Sequence, residues 1–225
     1  SPLAAVRRFL PENGADLAHL RQLWAQGGVV ALPTDTVPGL ASLACIGGAA
    51  AASQRLAQLK GAPPDKPCAL HLPDRAVLER MAPALPPGLA VWLRARLPGP
   101  WTVLLPASWL ALDPALAWPW RHCGIRVPQS PRFAACARSA GGLLLMTSIN
   151  DHGRPPLAGA ELAAWLDARA IPSAFDPLRE PVGNASALVK FDPKPAALRG
   201  ALRPGELRLG LRVLIMCSGN ICRSP

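Results

Sequence analysis

Acidic side chains are scarce in this sequence: 14 Asp and Glu stand against 24 Lys and Arg among 225 residues, leaving a formal charge of +10. That deficit favours polyanionic partners such as nucleotide phosphates or RNA, although a solubilising surplus of Arg would give the same number, and charge alone leaves both readings open. The six cysteines, at 45, 68, 123, 136, 217 and 222, include no C-x-x-C pair. Without such spacing a disulfide framework or a zinc site is not expected, and the cysteines read as reduced thiols of a cytosolic protein. No apolar run is long and unbroken. The most membrane-like stretch, 101–120, is interrupted by Pro106, Asp113, Pro114 and Pro119, which a lipid-exposed helix could not tolerate, so no membrane partner is expected. No basic-then-apolar leader follows Ser1, in keeping with a cytoplasmic protein, and no internal repeat or low-complexity tract interrupts the chain.

What is present is a large apolar fraction. Half the residues are hydrophobic, enough for one sizeable α/β domain with a buried core, or for one domain plus a fragment, and too many for a disordered chain. Asp16 is placed to cap a helix with Leu17, Leu20 and Trp24 at helical spacing, ended by Gly27 and Gly28. Strands are predicted at 29–32, 68–72, 101–105, 124–127, 143–147, 187–191 and 212–216. Helices are predicted at 48–60, 74–81, 87–96, 130–140 and 157–169. Their alternation argues for a sheet with helices packed on it. The segment 192–210, with its prolines and glycines, reads as a linker.

Three segments combine residue types that suit a ligand. Pro33-Thr34-Asp35-Thr36-Val37-Pro38-Gly39-Leu40 leaves the end of a buried strand, where open α/β sheets bind ligands; it offers two hydroxyls, a carboxylate and a glycine. An ordinary polar turn uses the same residues. Lys60-Gly61-Ala62-Pro63-Pro64-Asp65-Lys66-Pro67 carries two ammonium groups beside a helix end. As point charges they suit a triphosphate, and a solvated helix end would carry them too. In Thr147-Ser148-Ile149-Asn150, alternation points Ser148 and Asn150 the same way, so that hydroxyl and amide could meet one ligand; a satisfied loop cap is the competing reading.

Taken in order with Pro98-Gly99-Pro100-Trp101-Thr102, Arg126-Val127-Pro128, Gly153-Arg154-Pro155 and Leu202-Arg203-Pro204-Gly205, these segments resemble the YrdC-type threonylcarbamoyl-AMP synthases. Ordered matches across this much chain are far more specific than any one of them. The resemblance implies a YrdC-like α/β domain over residues 1–208, a twisted open mixed sheet with helices packed on it and a basic concave cleft. It also implies an activity: condensation of L-threonine, bicarbonate and ATP to threonylcarbamoyl-AMP and pyrophosphate, for t6A modification of tRNA. Partners implied with it are the t6A transferase machinery and structured RNA or tRNA. By the same resemblance Thr34, Thr36, His71, Arg126, Ser148 and Ser186 line the threonine end, with Arg126 on the carboxylate. Lys60, Lys66, Asn150 and Arg203 face ATP, whose phosphates a Mg2+ ion shields. For His71 a structural place within its strand is an equally good reading.

Two positions depart from the family pattern. Ala62 stands where K-x-R has Arg, removing a cationic fork expected on the nucleotide, and Pro38 replaces a common aromatic. The catalytic expectation therefore keeps two alternatives: a nucleotide- or RNA-binding module without turnover, and an accessory domain of a fused phosphatase. The latter comes from residues 209–225, which resemble the start of a low-molecular-weight protein tyrosine phosphatase domain. There C-x-x-x-x-x-R-S spans Cys217 to Ser224, with Cys217 as nucleophile and Arg223 cradling phosphate. That family also needs a downstream helix and an Asp general acid, neither of which follows within this sequence, so the phosphatase part is expected to be incomplete and its single strand unable to bury a face of its own.

Overall fold

Helices begin where a side chain or backbone geometry lets them, and short apolar runs between them form the strands, some following one another directly. The computed structural model describes residues 7–191, 196–200 and 214–215. In chain order the elements are α1 (Gly14–Ala25), β1 (Val29–Leu32), β2 (Gly39–Leu43), α2 (Gly48–Lys60), β3 (Ala69–His71), α3 (Arg75–Met81), α4 (Pro87–Arg96), β4 (Trp101–Pro106), β5 (His122–Arg126), α5 (Pro131–Ser139), β6 (Leu144–Ser148), α6 (Gly159–Ala168), β7 (Ala187–Lys190), β8 (Ala196–Arg199) and β9 (Leu214–Ile215), with two short 3-10 turns between β4 and β5. Asp74 caps α3 by accepting from the Val77 amide, and Ser130 caps α5 by accepting from the Phe133 amide with Pro131 at the first helical position, the arrangement that satisfies orphan donors at a helix start.

The strands form one mixed sheet in the order β1-β2-β6-β3-β5-β4-β7-β8-β9. Pairing is parallel for β3 with β5, β4 with β7 and β8 with β9, and antiparallel elsewhere. Because successive side chains alternate between faces, the register sorts the core into two layers. Ala31, Leu40, Leu70, Val103, Ile125 and Leu145 point to a face covered by α2, α3, α4 and α6 through Leu56, Leu78, Trp92 and Leu166. Val30, Leu32, Ala41, Leu43, Leu144 and Met146 point the other way, under Leu20 and Trp24 of α1 and Phe133 and Cys136 of α5.

On this second face the coverage is partial. The rung that pairs Leu144 with His71, His71 with Arg126 and Arg126 with Thr102 carries the same face onward from an apolar half to a polar one. Seven of the ten buried polar side chains among the described residues, Thr36, Lys60, His71, Thr102, Arg126, Asn150 and Ser186, lie along this half or at its rim. Buried polarity is thus concentrated rather than scattered, as a ligand site requires and a packed core does not.

Three expectations change. The cap of α1 is Asn13, which accepts from the Ala15 amide, whereas Asp16 sits inside the helix and accepts from the Leu10 amide beside Arg7. Gly39 and Leu40 belong to a strand, β2, because the loop before them turns the chain back to pair with β1. The expected linker contains β8, which pairs with β7, and the expected lone strand near 214 extends the same sheet beside β8. Among the described residues no helix is long and apolar enough to cross a membrane.

Trp24 fixes α1 to the sheet: it is fully buried and its indole N–H donates to the Ala41 carbonyl at 3.2 Å. Trp24→Ala should lower the unfolding free energy by about 3–5 kcal/mol, read from urea midpoints followed by circular dichroism.

Candidate active site

The loop between β1 and β2 owes its shape to one hydroxyl. Thr34 Oγ1 donates to the Val37 carbonyl at 2.8 Å and accepts from the Thr36 amide at 3.1 Å, a side-chain turn that competes with regular structure and stops β1. The chain then enters β2 at Gly39, where a Cβ would stand 2.8 Å from Met146 Cε and 3.0 Å from the Thr147 carbonyl. A side chain here would have to move Met146 and press on the Thr147 carbonyl, and glycine lets the loop return this close to β6 without that.

Folded over the sheet, the loop meets Arg126. The Arg126 Nη2 group donates to Asp35 Oδ1 at 2.6 Å and to Thr36 Oγ1 at 2.5 Å, and lies 3.5 Å from Thr34 Oγ1. The Arg126 side chain is 5% exposed and that of Asp35 12%. Burial lowers the guanidinium from its ordinary value, and Asp35 opposes that shift. The pair is not a fork: among the described residues the side-chain hydrogen bonds of Arg126 all run through a single nitrogen. Asp35 Oδ2 and Arg126 Nε are buried without a hydrogen-bond partner among the described residues.

Around this pair lie two more of the expected residues. His71, on the rung beside Arg126, places Nδ1 at 3.1 Å from the Ala69 carbonyl. A carbonyl only accepts, so Nδ1 carries the proton. Burial, reinforced by Arg126, pushes the imidazole down to about 3, and the ring is neutral at physiological pH, edge-on to Phe133. Ser186 Oγ lies 2.8 Å from Thr102 Oγ1, the neighbour of Arg126 on β4, and 3.4 Å from Arg199 Nη2, while Arg199 Nε donates to the Ser186 carbonyl. The Gly183 amide donates to the Thr36 carbonyl, tying the segment before β7 to the loop.

A second polar group forms at the end of β6. Lys60 Nζ, brought by the last turn of α2, lies 2.7 Å from the Ser148 carbonyl, 2.8 Å from Asn150 Oδ1, 3.1 Å from Thr147 Oγ1 and 3.3 Å from Ser148 Oγ. Ser148 Oγ also donates to Asn150 Oδ1, and Asn150 Nδ2 donates to the carbonyls of Asp151 and Arg154. Burial, then the charge of Lys66, lowers the Lys60 ammonium to about 8. Arg169, at the end of α6, stacks over Trp165 at 3.9 Å, donates to the Leu59 carbonyl and pairs with Asp151. It thereby clamps the end of α2 against the turn after β6. Lys66 is exposed on the loop beyond α2.

Gly39 pairs with Ser148, and Leu144, four residues earlier on β6, shares the rung of Arg126. At about 3.3 Å per residue the two backbone rungs stand roughly 13 Å apart along the strands. The 33–38 loop spans that gap, touching Arg126 at one end and entering β2 opposite Ser148 at the other. Of the residues expected at the threonine end, Thr34, Thr36, His71, Arg126 and Ser186 lie on or beside this rung, whereas Ser148 lies with Lys60 and Asn150. Of those expected on ATP, Lys60 and Asn150 meet and Lys66 stands apart on its exposed loop. Arg203, Cys217 and Arg223 lie outside the described residues. Asp35, Thr102 and Arg199 were not singled out: the first two sit inside quoted motifs, whereas Arg199 lies in the expected linker, where nothing marked a strand.

The depressed Lys60 ammonium has a stability signature. Between pH 8 and 10.5 the unfolded chain holds a proton on Lys60 that the folded chain has released, so folding gains stability from this group as pH rises through that window. The urea midpoint of the wild type, measured relative to Lys60→Met, should rise between pH 8 and 10; a flat difference would contradict the lowered value.

The family model for Sua5, YciO and YrdC proteins, described as telomere recombination, matches residues 22–201. The threonylcarbamoyl-AMP synthase of Alkalilimnicola ehrlichii is 34% identical over 204 residues, covering 85% of this chain and 96% of that protein. That of Nitrosococcus oceani is 37% identical over 130 residues, 58% of this chain and 68% of the relative. That of Bacillus subtilis is 30% identical over 161 residues, 71% of this chain, and the chain spans 46% of that longer relative. Among solved structures, P. abyssi Sua5 complexed with L-threonine superposes with a TM-score of 0.72 at 21% identity, covering 89% of this chain and 59% of that one. E. coli YciO superposes at 0.69 with 19% identity, covering 88% and 97%. These structures share the mixed sheet, and with the family model matching most of its length the chain belongs to the Sua5, YciO and YrdC family.

Proposed function

We propose that the chain is an L-threonylcarbamoyladenylate synthase, a nucleotidyltransferase that serves t6A modification of tRNA. The observation that carries the reading is the pair of polar groups joined by the 33–38 loop, one built around Arg126 and the other around Lys60. Threonine lies against Thr34, Thr36, His71, Ser148 and Ser186, its carboxylate on Arg126, whose planar donors suit a carboxylate. The threonine complex of P. abyssi Sua5 supports an amino-acid site in this fold. ATP lies towards Lys60, Lys66, Asn150 and Arg203.

The amine of threonine and bicarbonate form a carbamate with loss of water. A carbamate oxygen then attacks the α-phosphorus of ATP, a P–O bond to the β-phosphate breaks, and pyrophosphate leaves with the electron pair. No covalent enzyme intermediate is required; positioning and fixed charge supply the acceleration. Mg2+ enters as part of the nucleotide substrate, on its phosphates. The product passes to the t6A transferase machinery in the cytoplasm, with tRNA or another structured RNA as a further partner of the basic surface.

Position 62 favours a second reading. Ala62 follows the left-handed Gly61 that ends α2, its amide donating to the Ala57 carbonyl, and it supplies no cation to the nucleotide. A chain weakened there is a nucleotide- or RNA-binding module. Residues 1–208 are proposed as the synthase domain, and residues 209–225, with Cys217 and Arg223, as the phosphate loop of a tyrosine phosphatase domain whose support is its sequence motif.

Pyrophosphate release should require ATP, threonine and bicarbonate together; no threonine-dependent release, alongside salt-sensitive RNA binding, would favour the module. Ala62→Arg should raise ATP affinity by about ten- to a hundredfold, corresponding to about 1.5–3 kcal/mol for one charge-assisted contact. Calorimetric titration with ATP measures it, and an unchanged affinity would refute the account of this position.

A further inference from the structure

The ion pair between Arg126 and Asp35 is incomplete in a specific way. Two opposite charges buried together are most stable as a two-point fork with every remaining donor and acceptor satisfied. Here Arg126 approaches through Nη2 alone and divides that nitrogen between Asp35 Oδ1 and Thr36 Oγ1, leaving a cationic donor, Nε, and an anionic acceptor, Asp35 Oδ2, buried and unpaired among the described residues. Among the described residues the nearby protons that Asp35 Oδ2 could accept are engaged elsewhere. His71 holds its proton against the Ala69 carbonyl, Thr34 spends its own on Val37, and Ser186 is engaged with Thr102.

An unpaired donor of positive charge next to an unpaired acceptor of negative charge is the complement of a zwitterion. An α-amino acid carries its carboxylate and its ammonium on one carbon, so both can meet this pair together. Resting on the amino-acid reading of the site given above, we propose that Asp35 is the specificity-determining residue for the substrate's α-ammonium group, accepting from it through Oδ2 while Arg126 holds the carboxylate. Asp35 stays on Arg126 when substrate binds: it is part of the receptor and not a plug that the substrate displaces. The amine nitrogen is thereby held at the loop that leads to Ser148 and the Lys60 group, the direction from which the carbamate must meet the nucleotide. Asp35→Asn keeps the size and an acceptor oxygen but removes the charge that prefers an ammonium.

The test is calorimetric titration of the full chain with L-threonine and with 2,3-dihydroxybutanoate of matching configuration, in which a hydroxyl replaces the ammonium. A site built to bind an ionic group rejects the analogue lacking it, so the wild type should prefer threonine by at least about tenfold. Asp35→Asn should weaken threonine by about tenfold or more and leave the amine-free acid within about twofold, removing the preference. Asp35→Ser serves as the second variant should Asn prevent folding. Equal or tighter threonine binding by these variants would overturn the proposal and make Asp35 a competitor of the substrate carboxylate. Equal loss of both ligands would also overturn it, reducing Asp35 to a structural partner. If the wild type binds a different free amino acid, with the same collapse in the variants, the ammonium site stands and the threonine reading fails. If it binds no amino acid at all, the ammonium assignment fails.

Discussion

A guanidinium buried in the face of a sheet must be held by opposite charge and by hydrogen bonds, because removing it from water costs more than any nearby apolar contact returns. Arg126 is that group here. Its demand for acceptors draws the 33–38 loop down onto the sheet, where Asp35 and Thr36 meet it. The loop is then fixed from behind by the Gly183 amide on Thr36 and from below by the close passage of Gly39 over Thr147. One charge thus organises a loop, a strand start and the segment leading into β7.

The same face explains why a site exists at all. Under α1 and α5 the sheet is closed by Trp24, Phe133 and their neighbours. Beyond them His71, Arg126 and Thr102 continue the rung with polar side chains that no apolar helix could cover without leaving them unpaired. The boundary between the closed and polar halves runs between β6 and β3, and Ser148 and Asn150 stand at the strand end where it opens. Lys60 anchors that end from the opposite layer, reaching past the last residues of β6, with Arg169 and Trp165 holding the helix that carries it. Two layers of the fold therefore contribute one cation each.

Much of this was legible in the residues. The helices at 48–60 and 87–96 and the strand at 29–32 were bounded correctly by their glycines, prolines and apolar periods, since those boundaries are set by local backbone preference. The grouping of Thr34 and Thr36 with Arg126 came from motif order. By contrast, β8 was invisible because its short run, flanked by prolines and a glycine, carries no local period, and only pairing with the nearby β7 makes it a strand, and Asn13 rather than Asp16 capped α1 because the competing carboxylate had a better partner in Arg7 and the Leu10 amide.

The sequence by itself determined the alternation of elements, the two opposed apolar faces and the chemical types available to the loop, since these follow from local propensity and the two-residue period of strands. Only the tertiary structure decided that Arg126 would meet Asp35 through one nitrogen and that Lys60 would close on Asn150. Both depend on sheet register and loop path, which bring together residues about ninety positions apart, and no local rule of spacing fixes a contact of that range.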